Sequence, residues 1–155
     1  MKTKLIELGA ALGGRFEQRG EEYNGCIMGY IALDDGMIIW VDVNGYGKKV
    51  RIQFSPAYPN HETKGGSSAA TIQRDFCGYG EPTFSGFSVS AEKSVDQIAR
   101  DVRGRFLVIY RPLFEKAVAW CDAQAEHHAG VRAMHQAADH HFNGINTSGK
   151  SRVYV

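Results

Sequence analysis

The sequence predicts an α+β fold: an antiparallel meander sheet of four to five strands, packed on one face by C-terminal helices, with a short N-terminal helix, all in a single domain over residues 1–155. Three observations carry this expectation. Ser94-Val95-Asp96-Gln97 forms a capping box, and the apolar stripe Val95, Ile98, Val102, Phe106 and Ile109 follows it at three- and four-residue steps. Upstream, Met37, Ile39, Val41 and Val43 alternate with Ile38, Trp40 and Asp42, and Val50, Ile52 and Phe54 alternate with Lys49, Arg51 and Gln53, which is the period of half-covered strands. Finally, 43% apolar and 23% charged residues in a chain of 155 is ordinary globular composition, enough for a core without covalent staples.

The elements follow in order. Leu5, Leu8 and Leu12 share one side of a helix over Lys4–Leu12, which Gly13-Gly14 stops. A β-prone run from Cys26 to Leu33 ends in Asp34-Asp35-Gly36, so it forms a hairpin with the strand that begins near Met37. Asn44-Gly45-Tyr46-Gly47 then turns the chain into a third strand through Phe54. Residues 56–83 hold three of the four prolines and the run Lys64-Gly65-Gly66-Ser67-Ser68, which predicts a long loop, with Thr71–Phe76 as its hidden strand. Phe84–Ser90 predicts a strand that feeds the Ser94 helix. Pro112 lacks an amide donor and disfavours a helical residue before it, which predicts a break at Arg111. A second helix then runs from about Pro112 to about His141 on Leu113, Ala117, Trp120, Gln124, Val131 and Ala138, with Asn143-Gly144 ending it. The tail Arg152–Val155 is an edge strand or a frayed end.

Composition excludes several classes. Three widely spaced cysteines, Cys26, Cys77 and Cys121, argue against a disulfide framework and for free thiols in a reducing interior. The longest dense apolar run, Met37–Val41, falls far short of the roughly 20 residues of a membrane helix, and Glu7 interrupts what would be a signal peptide's apolar region. A cytoplasmic protein without membrane contact is the expectation. A net charge of +1 gives no global attraction to polyanions. Five of the six histidines fall between His127 and His141, so any response to mild acid belongs to the C-terminal end.

No residue pattern points to a cofactor. His135 and Asp139 stand four apart, as two ligands of one metal ion would, but His128 lies about 10 Å from His135 along the axis and cannot complete that shell. In Lys64-Gly65-Gly66-Ser67-Ser68 the lysine precedes the glycines, the reverse of a phosphate-binding loop. There is no Gly-x-Ser-x-Gly elbow, and Cys77 has no evident base. Recognition residues are better represented. Tyr46, Lys48, Lys49 and Arg51 gather at a hairpin end, Arg100, Arg103 and Arg111 share the polar side of a helix, and Tyr79 and Trp40 are candidate stacking or anchor residues. These nine residues predict a macromolecular partner, a protein complex first and a nucleic acid as the alternative. The metal-dependent enzyme built on His135 and Asp139 comes third.

Phe87-Ser88-Val89-Ser90, together with Ile98-Ala99-Arg100-Asp101-Val102-Arg103-Gly104-Arg105-Phe106-Leu107 and Tyr110, resembles small accessory proteins of bacteriophages and other mobile elements, over residues 84–116. The resemblance transfers no catalytic residue or cofactor. It implies a protein that engages a host or phage macromolecular complex, inhibitors of CRISPR effector complexes among them. The near-neutral charge departs from the strongly acidic, DNA-mimicking style of inhibitor.

Overall fold

The computed structural model describes residues 1–45, 49–59, 66–67, 76–78, 80 and 82–148, with backbone alone for 66–67 and 141–148. The expected α+β architecture is present. Helix α1 (Lys2–Ala11) leads into strands β1 (Gly14–Tyr23), β2 (Cys26–Leu33), β3 (Ile38–Asn44) and β4 (Arg51–Pro56), then a two-residue pair β5 (Tyr58–Pro59) and β6 (Gly66–Ser67), and β7 (Phe87–Ser90). Helix α2 (Val95–Asp101), a π-helical turn (Val102–Leu107) and helix α3 (Val108–Ser148) complete the chain. The main sheet has five antiparallel strands in the order β1-β2-β3-β4-β7, and β5 pairs with β6 in a separate two-stranded sheet.

The fifth strand is not the one the sequence predicts. Residues 71–75 lie outside the described residues, and Phe76 and Cys77 are helical. The additional strand is β1, whose only apolar side chains are Phe16 and Tyr23. Alternating charges suit an edge strand that must not pair with another molecule. A signal for it stands in the sequence: Asn24-Gly25, at φ 50° and 75°, makes a two-residue turn that pairs Tyr23 with Cys26. The strand predicted over Phe84–Ser90 is shorter, starting at Phe87.

The core lies between the sheet and the helices. Ile27, Ile31, Ile39, Val41, Val43, Ile52 and Phe54 on one sheet face meet Leu5 and Leu8 of α1 and Ile98, Val102, Phe106 and Tyr110 of the helical layer, all fully buried. Burial of each such side chain contributes roughly 1.5–3 kcal/mol. The capping box forms as the sequence predicts: the Gln97 amide donates to Ser94 Oγ at 3.2 Å, and the Ser94 amide donates to Gln97 Oε1 at 3.0 Å. Arg105 lays its guanidinium 5.3 Å from the Phe87 ring centroid at the core edge.

Two helical expectations are corrected. The stripe predicted to end on Ile109 ends on Tyr110: Ile109 is 48% exposed, whereas Tyr110 is fully buried. Buried positions 98, 102, 106 and 110 advance by four, and each such step overshoots an α-helical turn by about 40°. The wider π turn takes up that excess, so the core face continues without a three-residue step. Nor does Pro112 divide the helix, because α3 runs through it and past Asn143-Gly144 to Ser148. The carbonyl that Pro112 leaves without a helical donor belongs to Val108, which is 64% exposed, so water can satisfy it. Among the described residues, no helix is long and apolar enough to cross a membrane.

Candidate partner-binding face

Helices cover one face of the sheet, and the other presents the alternate residues of each strand. Strand register sets its rows. Glu17, Tyr30, Trp40 and Ser55 are cross-strand partners in one row, and Arg19, Met28, Asp42, Gln53 and Ser88 form the next. Tyr30 and Trp40 sit at the centre, half-buried by their neighbours, with ring centroids 6.5 Å apart and planes at 16°. Met28 beside them is 48% exposed. An aromatic pair directly opposed across two strands contributes both to sheet stability and to a flat apolar platform.

Charged groups frame that platform. The Tyr30 hydroxyl donates to Glu17, Arg15 pairs with Glu17 at 2.8 Å, and the Arg19 guanidinium stands 5.2 Å from the Tyr30 ring centroid. The Tyr30 hydrogen bond, helped by Arg15 and Arg19 and opposed by partial burial, holds the Glu17 carboxyl below its ordinary value. The same bond to Glu17, with burial, pushes the Tyr30 phenol up. On the opposite side of the face, Arg51 donates through Nε to Ser88 Oγ at 3.0 Å and through Nη2 to the Ser88 carbonyl at 3.1 Å, which fixes its direction on the surface.

The nine residues singled out from the sequence do not form one patch. Trp40 and Arg51 lie on this open face, and Lys49 is exposed just before β4. Tyr46, Lys48 and Tyr79 lie outside the described residues. Arg100 is exposed on α2, on the helical side of the molecule. Arg103 donates to the carbonyl of Ala11 at the end of α1, and Arg111 pairs with Asp35 in the β2–β3 turn. Both fasten elements of this fold to the helical layer. The open groove between them is lined by Leu12, Leu107, Val108 and Pro112. Tyr30 and Met28 escaped the sequence analysis because Cys26–Leu33 is a nearly unbroken apolar run, and only the register with β1 and β3 tells which residues face out; Arg19 escaped it because periodicity does not predict β1.

His135 and Asp139 are exposed one turn apart on α3. Among the described residues, no group of three or more His, Cys, Asp or Glu side chains could hold a metal ion. Comparison of the chain with protein-family models, with curated proteins and with solved structures finds no match.

Proposed function

We propose that this protein is a non-enzymatic binding module that docks a partner protein on the open face of its sheet, with Tyr30, Trp40 and Met28 as anchor and Arg19 and Arg51 at the rim. The observation that carries the reading is the half-buried Tyr30–Trp40 pair with exposed Met28 beside it, set between paired charges on the open face of the five-stranded sheet. Protein interfaces are enriched in Tyr, Trp, Met and Arg, and their strongest contacts come from aromatic and arginine side chains at the centre. The likeness of residues 84–116 to phage accessory proteins supports a partner within a host or phage complex, with a CRISPR effector complex as one such target.

A second reading, single-stranded nucleic acid, draws on the same rings, since bases stack on exposed aromatics beside arginines. Two carboxylates count against it. Glu17 and Asp42 share the face with the rings, and both repel phosphate. Capture from host lysate with wild type, Met28→Glu and Arg19→Glu tests the choice, because both substitutions sit on exposed positions and leave the core intact. A protein held by wild type and lost by both variants supports the reading. Equal capture by all three, or salt-sensitive retention of nucleic acid without protein, overturns it.

A further inference from the structure

The groove on the helical side of the molecule runs between the end of α1 and the helix that faces it. Leu12 forms one wall, and Leu107, Val108 and Pro112 supply the apolar part of the other. Its volume, about 520 Å³, falls among those of small-molecule sites, roughly 300–1,000 Å³. Val108 is 64% exposed, so apolar surface stands open to water there. The π turn shapes this wall. Positions 103, 107 and 111 advance by four, one residue on from the buried 102, 106 and 110, so the turn that keeps the core line straight also keeps Arg103, Leu107 and Arg111 close to one line along the groove. Single π turns within helices recur at functional sites.

The two guanidiniums on that line differ in charge balance. Arg103 donates to the Ala11 carbonyl, a neutral group, and keeps its charge, whereas Arg111 faces the Asp35 carboxylate. A guanidinium presents its donors in a planar fork, so the one spent on Ala11 leaves others for a second acceptor. Beyond Arg103, Arg100 and Asp96 line the adjoining hollow and offset each other. Past Arg111, Glu115 closes the far margin. Among the described residues, the groove thus offers a single uncompensated cation at its Arg103 end, an apolar floor in the middle, and a carboxylate at the opposite end.

We propose that this groove binds a small aliphatic monocarboxylate, with its head on Arg103 and its chain along Leu107, Val108 and Pro112 against Leu12. A single positive charge matches a single carboxylate, and the guanidinium fork suits its two oxygens. Glu115 at the other end and Asp96 beyond the head disfavour a second anionic group, so a dianionic phosphate fits less well. The apolar floor gives the chain a place that leaves water on one side only. This ligand is additional to the partner docked on the open sheet face, from which the helical layer separates it.

Titration of the full chain with decanoate below its micelle concentration, followed on the backbone amide resonances, tests this beside decyltrimethylammonium and inorganic phosphate. Decanoate should shift the amides of Leu12, Arg103, Leu107 and Val108 saturably. The cationic chain should bind at least about tenfold more weakly, and phosphate should leave those amides in place. Val108→Asp changes an exposed position, keeps the dispersed wild-type spectrum, and should weaken decanoate at least about tenfold. The comparison of the two chains on wild type stands without the variant. No saturable shift at these amides, shifts confined to the open sheet face, equal binding of both chains, phosphate shifting the same amides, or undiminished binding by Val108→Asp overturns the proposal.

Discussion

The Ala57 amide donates to the Tyr110 hydroxyl at 3.1 Å, and the same hydroxyl lies 2.8 Å from the carbonyls of Ala57 and Ile38. One side chain from the start of α3 thereby ties the point where β4 passes into β5 to the start of β3, accepting from one amide and offering its single proton to either of two carbonyls. The ring packs against Tyr58, Phe106 and Phe114 at centroid distances of 5.6, 5.2 and 5.8 Å. Burial above all, and also neighbouring Tyr58 and Asp35, push its phenol well above the ordinary tyrosine range, so it stays a neutral donor and acceptor throughout the working pH range.

Tyr110→Phe keeps the ring and deletes the hydroxyl, leaving the Ala57 amide unpaired in a residue only 2% exposed. An unsatisfied buried donor costs about 1–3 kcal/mol. Urea unfolding should show a loss in that range at unchanged slope, and a neutral result would mean that this bond contributes nothing to the joint.

Ile109 and Phe106 should respond in opposite ways, although the sequence stripe groups them together. Ile109→Lys places a charge at an exposed position and should change stability by no more than about 0.5 kcal/mol. Phe106→Ala empties a fully buried site and should cost about 3–5 kcal/mol. A large loss for Ile109→Lys would place the core face one residue earlier and remove the phase shift ascribed to the π turn.

Gly29 lies on the core face of β2, where an added Cβ would stand 2.4 Å from the Glu17 carbonyl oxygen and 2.8 Å from the Phe16 ring. Phe16 lies over the space that Gly29 leaves. Gly29→Val should destabilise by at least about 1–3 kcal/mol, the usual cost of overpacking, and should detach β1, read as faster amide exchange over Gly14–Arg19. Exchange unchanged in β1 would contradict this packing.

Acid should weaken the fold through three carboxylates. The Lys93 hydrogen bond holds Asp101 below its ordinary value, and the Tyr30 bond does so for Glu17. For Asp35, burial raises the carboxyl, but the Arg111 bond and the Met37 amide together outweigh it. A depressed folded-state value means stability that is fully present above the unfolded value, about 4, and is lost as pH falls through the lower folded value. Melting temperature should therefore drop below about pH 4, and Asp35→Asn or Asp101→Asn should flatten that acid limb. An acid limb of the same slope in both variants would deny the linkage.

Much of the fold was legible because local chemistry and tertiary packing agree in it. The Ser94 capping box, the Leu5-Leu8-Leu12 face and the β2–β3–β4 meander each follow from spacing and turn residues. Strand β1 was not legible from periodicity, since charges occupy most of its positions and its stability comes from pairing with β2. The π turn was invisible because nothing in Val102–Leu107 distinguishes it from α-helix. Of the candidate site, Trp40 could be placed on an outward row by alternation alone. Tyr30 required the register that opposes it to Trp40, and the guanidiniums of Arg103 and Arg111 required the tertiary fold that engages them.

Photocross-linking from the open sheet face, with a photoreactive side chain placed at position 28 in cells that contain the partner, tests the central claim most directly, beside a control at Val108 on the helical side. The account predicts a discrete protein adduct from position 28 and none from position 108. Adducts from position 108 alone, or none from position 28, would contradict it.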